Sequence, residues 1–327
     1  MGDTPSISVS LTNKPTTTNT MAITSSVPDH FPALFQEEWR LECQQLTSRL
    51  QGLVPVYPVH GESRRFNKLG KINSQDMTGR FQDSAPADVD TEMRHLYVSF
   101  KTAENFVSRV DSIRLGEIDS PHSSIMKSHM AAAGRDRDQA IIDMLGGNVY
   151  EGKNGTSTVA FNTSDYSIAK TYQYDGTVGN TGLTYDKIVN ARTRLGLKNV
   201  AGQNVEGGSP LGIVITHNEI EDLLHDDKFI NRDYRAKLEE AQSGSIVDAF
   251  GFTIVAVDPA LMPVTSETRA CYAFAKNCVA FGYAEDPQTF VDTLPQKRHD
   301  VQIRSEWAFG GTRLDDEGVI QINVHRA

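Results

Sequence analysis

Cysteine is scarce. Cys43, Cys271 and Cys278 are the three in 327 residues, with no CxxC pair, so neither a disulfide framework nor a zinc site of that kind is indicated. Buried free thiols in a reducing compartment are the expectation. Apolar runs are short: no stretch of ~18 apolar residues is present to span a membrane. Residues 1–30 lack the basic start and apolar run of a secretory signal, so the sequons at Asn154 and Asn162 carry no weight. Basic residues are outnumbered, with 32 Lys and Arg against 42 Asp and Glu for a net charge of −10. That balance argues against nucleic-acid binding as the main activity, because phosphate neutralisation needs clustered Lys and Arg. No glycine-rich loop ending in Lys-Ser or Lys-Thr follows a strand, so a phosphate cradle is missing. Gly207-Gly208-Ser209 lacks the GxSxG setting of a nucleophile elbow. His122 and His129 have no carboxylate or cysteine at ligand spacing, His217 and His225 suit capping or surface roles, and nothing brings Cys278 to His299. No catalytic residue, cofactor or metal site is expected.

What the chain has is length for a sizeable core, as two domains or one large one, and one sharply delimited helix. Ser120 is a good N-cap, Pro121 suits the first helical position, and Gly146-Gly147 supplies a C-terminal stop. Between them Ile125, Met126, Met130, Ala133, Ala140, Ile141, Met144 and Leu145 recur at spacings of three and four. The spacing predicts a helix over 120–145. Its centre, Gly134-Arg135-Asp136-Arg137-Asp138, sets a glycine and four charges between two apolar halves. A solvated charged face is the plain expectation; a kink, or a surface meeting a neighbouring copy, is the sharper one.

Around this helix the pattern is mixed α+β. Residues 1–30 are rich in Thr, Ser, Asn and Pro and have no core of their own, so a neighbouring subunit is expected to hold them. Leu34, Phe35, Trp39, Leu41, Leu46 and Leu50 share one face, which predicts a helix over 31–52 ended by Gly52 and Pro55. Val54 to Val59 reads as an edge strand, since prolines interrupt it. Gly61 to Asp90 is a long polar excursion carrying Arg64, Arg65, Lys68, Lys71 and Arg80 before the chain returns as a strand at His95–Val98, the form of a projecting hairpin. Val149 to Gly182 reads as short strands and turns. Thr184 opens a helix over Tyr185–Leu197, Leu211–Ile215 suits a central strand, and Thr216-His217-Asn218 opens a helix over Glu219–His225. Polar helical turns over 226–244 follow, then strands at Ile246–Asp248 and Phe252–Val257 around Gly251. Ala270–Tyr283, Phe290–Leu294, Asp300–Ala308 and Val319–Val324 complete the chain.

From Leu183 onward this order resembles the major capsid proteins of tailed bacteriophages, with the Hong Kong-type capsid fold. The resemblance is carried by Leu223-Leu224-His225-Asp226-Asp227-Lys228-Phe229-Ile230-Asn231 and by the strand pair around Gly251-Phe252. Cys271-Tyr272-Ala273-Phe274-Ala275-Lys276 and Phe309-Gly310-Gly311-Thr312-Arg313-Leu314 extend it. No one motif is specific; their order over the C-terminal half is what matches, and before it the match is one of architecture.

The resemblance implies a subdivided chain. An extended arm (1–30) and an N-terminal helix (31–52) precede a projecting loop, the family's E-loop, with flanking strands (53–106). A peripheral domain with its spine helix (107–182, helix 120–145) and a mainly axial domain (183–290) follow, and C-terminal strands (291–327) return to the peripheral domain. It implies a self-assembling subunit that forms pentamers and hexamers in an icosahedral head shell enclosing double-stranded DNA, contacted weakly given the acidic balance. It further implies a virion location, assembly in the bacterial host cytoplasm, a portal, and room for a cement protein. The short arm, in place of the long cleaved segment of some family members, points to a separate scaffolding protein and no cleavage. Arg64, Arg65, Lys68, Lys71 and Arg80 are expected to meet acidic surface on an adjacent subunit. Arg135, Asp136, Arg137 and Asp138 are expected to form inter-subunit or intra-spine ion pairs. A covalent link from Lys68 or Lys71 to a neighbour's Asn is not expected, since no acidic catalyst or Asn partner is identifiable. The rivals are an encapsulin-like nanocompartment shell, told apart by its cargo, and a soluble α+β enzyme, which would be a monomer or small oligomer.

Overall fold

A computed structural model describes residues 44–72, 74, 76, 89–108, 122–176, 179–200, 210–226 and 248–326. The arm of residues 1–30, the first part of the expected N-terminal helix, Arg80, the helix start at Ser120-Pro121, the 202–209 loop and the stretch 227–247 lie outside them.

The strands β1 (Val56–Pro58), β2 (Ser63–Leu69), β3 (Thr91–Tyr97) and β4 (Ser99–Val107) precede the long helix α1 (His122–Gly146). Then come β5 (Val149–Glu151), β6 (Ser157–Val159), a one-turn helix α2 (Thr163–Tyr166) and β7 (Ser167–Ile168). Helix α3 (Tyr185–Leu197), β8 (Leu211–Thr216), α4 (His217–His225), β9 (Asp248–Ala249) and β10 (Phe252–Val257) follow. β11 (Thr268–Ala275), β12 (Val279–Leu294), β13 (Asp300–Arg313) and β14 (Val319–His325) complete the described chain.

The strands form three sheets, ordered β2-β3-β5-β6, β1-β12-β13-β4 and β7-β14-β11-β8-β10-β9. In the first, β2 and β3 pair antiparallel from Ser63–Tyr97 to Leu69–Thr91, the base of the hairpin expected from the polar excursion. In the second, β1 is an edge strand, as its prolines require, and pairs parallel to β12. One face of this sheet carries Lys101, Asn105, Ser305 and Trp307 against α1. The opposite face is open and carries Phe100 (72% exposed), Phe106 (47%) and Phe290 (38%). In the third, β8 sits between β11 and β10 and buries all six residues, the burial that a continuous apolar run needs. β10 starts from a two-residue turn whose Phe250 (φ 56°) and Gly251 (φ 79°) both take positive φ, as a type I′ hairpin demands. The Phe250 ring meets the Tyr185 ring edge-on at 4.9 Å, a contact that offsets the cost of φ > 0 at a residue with a Cβ. Ile141 and Leu145 of α1, Ile188 and Leu195 of α3, and the buried faces of β8, β10, β11 and β14 share one apolar core. Val59, Leu96 and Ala280 make a smaller one under the hairpin.

Three expectations are corrected. Residues 44–50 are not helical, and only a 3-10 turn at Gln51–Leu53 follows; the backbone N–H groups of Arg49 and Leu50 go to a carboxylate on α1 instead of to a helix of their own. Within Val149–Gly182 the one-turn helix α2 appears, capped by the Asn162 side chain accepting from Ser164 and Asp165. The C-terminal strands do not move as a group, for β14 pairs with β11 in the six-stranded sheet while β12 and β13 form the sheet that faces α1. The crossing between sheets therefore falls near Lys276–Cys278 rather than at residue 290.

Candidate functional site

The hairpin base and the centre of α1 hold the residues singled out from sequence. Arg64 donates to the Pro58 carbonyl at 2.7 Å and lies over the Tyr57 and Phe66 rings at 5.0 and 5.4 Å. Lys68 sits 3.6 Å from Glu92 and 3.4 Å from Asp315, and Lys71 sits 3.9 Å from Glu317. Burial draws the Lys68 pKa down, but the Asp315 and Glu92 carboxylates outweigh it and leave it raised, so the ammonium stays charged. Arg65 is exposed and has no partner among the described residues.

The four central charges of α1 each reach other segments of their own chain. Asp138 is fully buried and accepts from Gln45 Nε2 and Ser48 Oγ, both at 2.5 Å, and from the Arg49 and Leu50 N–H groups at 3.1 Å. Asp136 accepts from Lys101 at 2.8 Å and from Trp307 Nε1 at 3.2 Å. Arg137 bonds Gln51 at 2.5 Å, pairs with Asp286 at 3.3 Å and covers the Phe309 ring at 4.6 Å. Arg135 donates to Gln44 at 2.8 Å. The solvated-face expectation is thus corrected at Asp138, and the pairs made within this chain are not intra-spine. α1 runs unbroken through Gly134. A Cβ there would sit 3.2 Å from the Thr47 backbone, so the glycine makes room for the 46–48 segment to cross the helix.

Several buried polar groups were not singled out from sequence. Arg94 of β3 pairs with Glu151 at 2.7 Å and Asp316 at 2.9 Å. Arg313 is fully buried, pairs with Asp316 at 2.9 Å, and donates to the carbonyls of Met144, Leu145 and Gly147 at 3.1, 3.1 and 2.6 Å. It thereby caps the C-terminus of α1. Glu219 accepts from the Thr216 N–H at 2.9 Å and from its hydroxyl, half of a capping box, and pairs with Arg269 and Arg326 at 3.0 and 3.3 Å. Lys187, buried in α3, donates to the carbonyls of Lys170, Thr181, Gly182 and Asn323, and burial lowers its pKa to about 8. The expected Thr184 cap makes no side-chain bond to α3; Asp226 accepts from the Tyr185 N–H at 2.8 Å instead. Charged types on apolar faces and the triplet Asp315-Asp316-Glu317 were the available signals, but neither names a partner.

His129 is buried between Ser305 Oγ (3.0 Å) and Asn105 Oδ1 (2.7 Å), and burial lowers its pKa. The unfolded chain therefore binds more protons just below pH ~6.5, so this site's stability is present above that pH and lost as pH falls. The acid-side fall in thermal midpoint should be shallower for His129→Gln than for the parent; identical profiles would refute this. Cys278 and His299 lie at opposite ends of the β12–β13 hairpin. Among the described residues no group of three His, Cys, Asp or Glu is placed to hold a metal, and no helix is long and apolar enough to cross a membrane.

A sequence profile described as phage capsid protein matches residues 27–325 of the chain. No curated protein sequence matches. Among solved structures, the Cyanophage Pam1 capsid asymmetric unit aligns with a TM-score of 0.70 at 15% identity, over 94% of this chain and 100% of that one. The capsid of Ralstonia phage GP4 aligns at 0.68 and 9% identity, over 93% and 98%. A chain from Mycobacterium phage Che8 aligns at 0.66 and 16% identity, over 90% and 97%.

Proposed function

The chain belongs to the phage capsid protein family and builds the shell of a phage head, and from that premise we propose how it does so. It closes into pentamers and hexamers of an icosahedral shell around double-stranded DNA, acting structurally and without catalysis or cofactor. The observation that carries this is the family match, which spans residues 27–325 and so covers hairpin, helix and all three sheets. A net charge of −10 fits DNA that is enclosed rather than gripped. A separate scaffolding protein directs assembly in the host cytoplasm, a portal occupies one vertex, and a cement protein has the open aromatic face of the β1-β12-β13-β4 sheet to bind.

Of the described residues expected to contact a neighbour, Arg65 is the strongest candidate, because Arg64, Lys68, Lys71 and Arg135 to Asp138 already have partners within the chain. Leu69 and Ile72, 68% and 59% exposed, extend its surface. Purified protein, with its scaffold supplied, should sediment as closed shells tens of nanometres across whose nuclease-protected content is DNA. Arg65→Glu should leave the thermal midpoint unchanged and yield unassembled subunits. Protein cargo in place of DNA would favour a nanocompartment, and a monomer under every condition would overturn the shell.

A further inference from the structure

Asp315, Asp316 and Glu317 form one acidic turn between β13 and β14, and each carboxylate takes a cation from a distant part of the chain. Asp315 meets Lys68 of β2 at 3.4 Å, Asp316 meets Arg94 of β3 at 2.9 Å, and Glu317 meets Lys71, just past β2, at 3.9 Å. Lys198 at the end of α3 holds Glu317 from another side at 3.0 Å. Both strands of the hairpin are thus tied by opposite charge to a single turn, across 222 residues of sequence in the case of Arg94 and Asp316. The tie does not stop there. Arg313 shares Asp316 with Arg94 and grips the last carbonyls of α1, so the hairpin, the turn and the long helix are linked through one partly buried carboxylate group. Arg94 is buried with its Nε and one Nη lacking hydrogen-bond partners, so Glu151 and Asp316 are what compensate its charge.

We propose that the turn at Asp315, Asp316 and Glu317 is a latch that sets the direction of the β2–β3 hairpin within the free subunit, so that a second copy meets a hairpin already aimed. A contact segment ordered before association avoids the entropy that ordering it on contact would cost. The latch also neutralises the two lysines of the hairpin in place, which leaves Arg65 as the hairpin charge open to a neighbour. The proposal rests on the shell reading only in naming a second copy as what the hairpin meets.

Hydrogen exchange on dissociated subunits tests the latch directly. Lys68→Glu and Asp315→Asn should each speed exchange of the amides in 63–69 and 91–97 roughly twofold to fivefold, through loss of the pairs. Asp315→Asn keeps the side-chain oxygen that accepts from the Glu317 N–H, so the turn itself stays folded. Lys68→Glu combined with Asp315→Lys in one chain should bring exchange back towards the parent rate. Parental exchange in both single variants would overturn the latch. A mixing experiment separates a pair within the chain from a pair between copies. Lys68→Glu subunits mixed with Asp315→Lys subunits should assemble no better than either alone, while the doubly swapped chain recovers. Rescue by mixing would move the pair to the contact between copies and overturn the proposal. If even the parent forms no particles, the shell reading fails, and the exchange rates still decide the latch.

Discussion

Arg313→Met should lower subunit stability by about 3–5 kcal/mol, the range for removing one partner of a buried ion pair, and the thermal midpoint by roughly 10 °C. The guanidinium is fully buried, and its hydrogen bonds go to Asp316 and to three carbonyls at the end of α1. A helix end buried without partners leaves carbonyl oxygens desolvated and unpaired. Methionine keeps much of the volume over the Phe161 ring, which the guanidinium covers at 4.8 Å, so the loss measured is mainly polar. Arg313→Lys should recover little, because a compact ammonium cannot fork between a carboxylate and a helix terminus. Urea unfolding of both variants checks this; a loss below about 1 kcal/mol in Arg313→Met would mean that the helix end is satisfied some other way.

Asp138→Ala comes next, at about 3–4 kcal/mol, since one buried and one part-buried backbone N–H and two side chains lose their acceptor and each unsatisfied buried group costs about 1–3 kcal/mol. The four donors come from residues 45–50, so the variant should also expose that segment to protease while the hairpin stays protected. Asp138→Asn should cost nearly as much, because one of its two acceptor positions becomes an NH₂ facing other donors. Unchanged protease resistance of residues 44–50 in Asp138→Ala would show that something other than this carboxylate holds the segment on α1.

The elements that depend on neighbours in sequence were legible in advance. The spacing and stop signals of α1 predict 120–145 against an observed His122–Gly146, and α3 spans Tyr185–Leu197 in both. β8 runs one residue past its expected end, and β14 covers the expected Val319–Val324 with Ile320, Ile322 and Val324 buried. Hydrophobic period, glycine stops and acidic first turns act over a few residues, which is why they can be read without the fold. The order of those elements was enough to suggest the capsid family.

What the sequence alone determined, then, is the long helix, α3, β8 and β14, the mixed α+β class, and a family resemblance carried by element order. The tertiary structure decided what each charge does. Asp138 reads as one of four solvated charges until the 44–50 segment lies across it, and Lys68 reads as a contact for a neighbour until Asp315, 247 positions later, stands 3.4 Å away. It also decided that β14 returns to the six-stranded sheet and that Asp226, not Thr184, caps α3. The physical reason is common to all of these. Periodicity is a local property of the chain, whereas a buried charge is compensated by whichever group the fold brings within reach, and sequence distance places no limit on that choice.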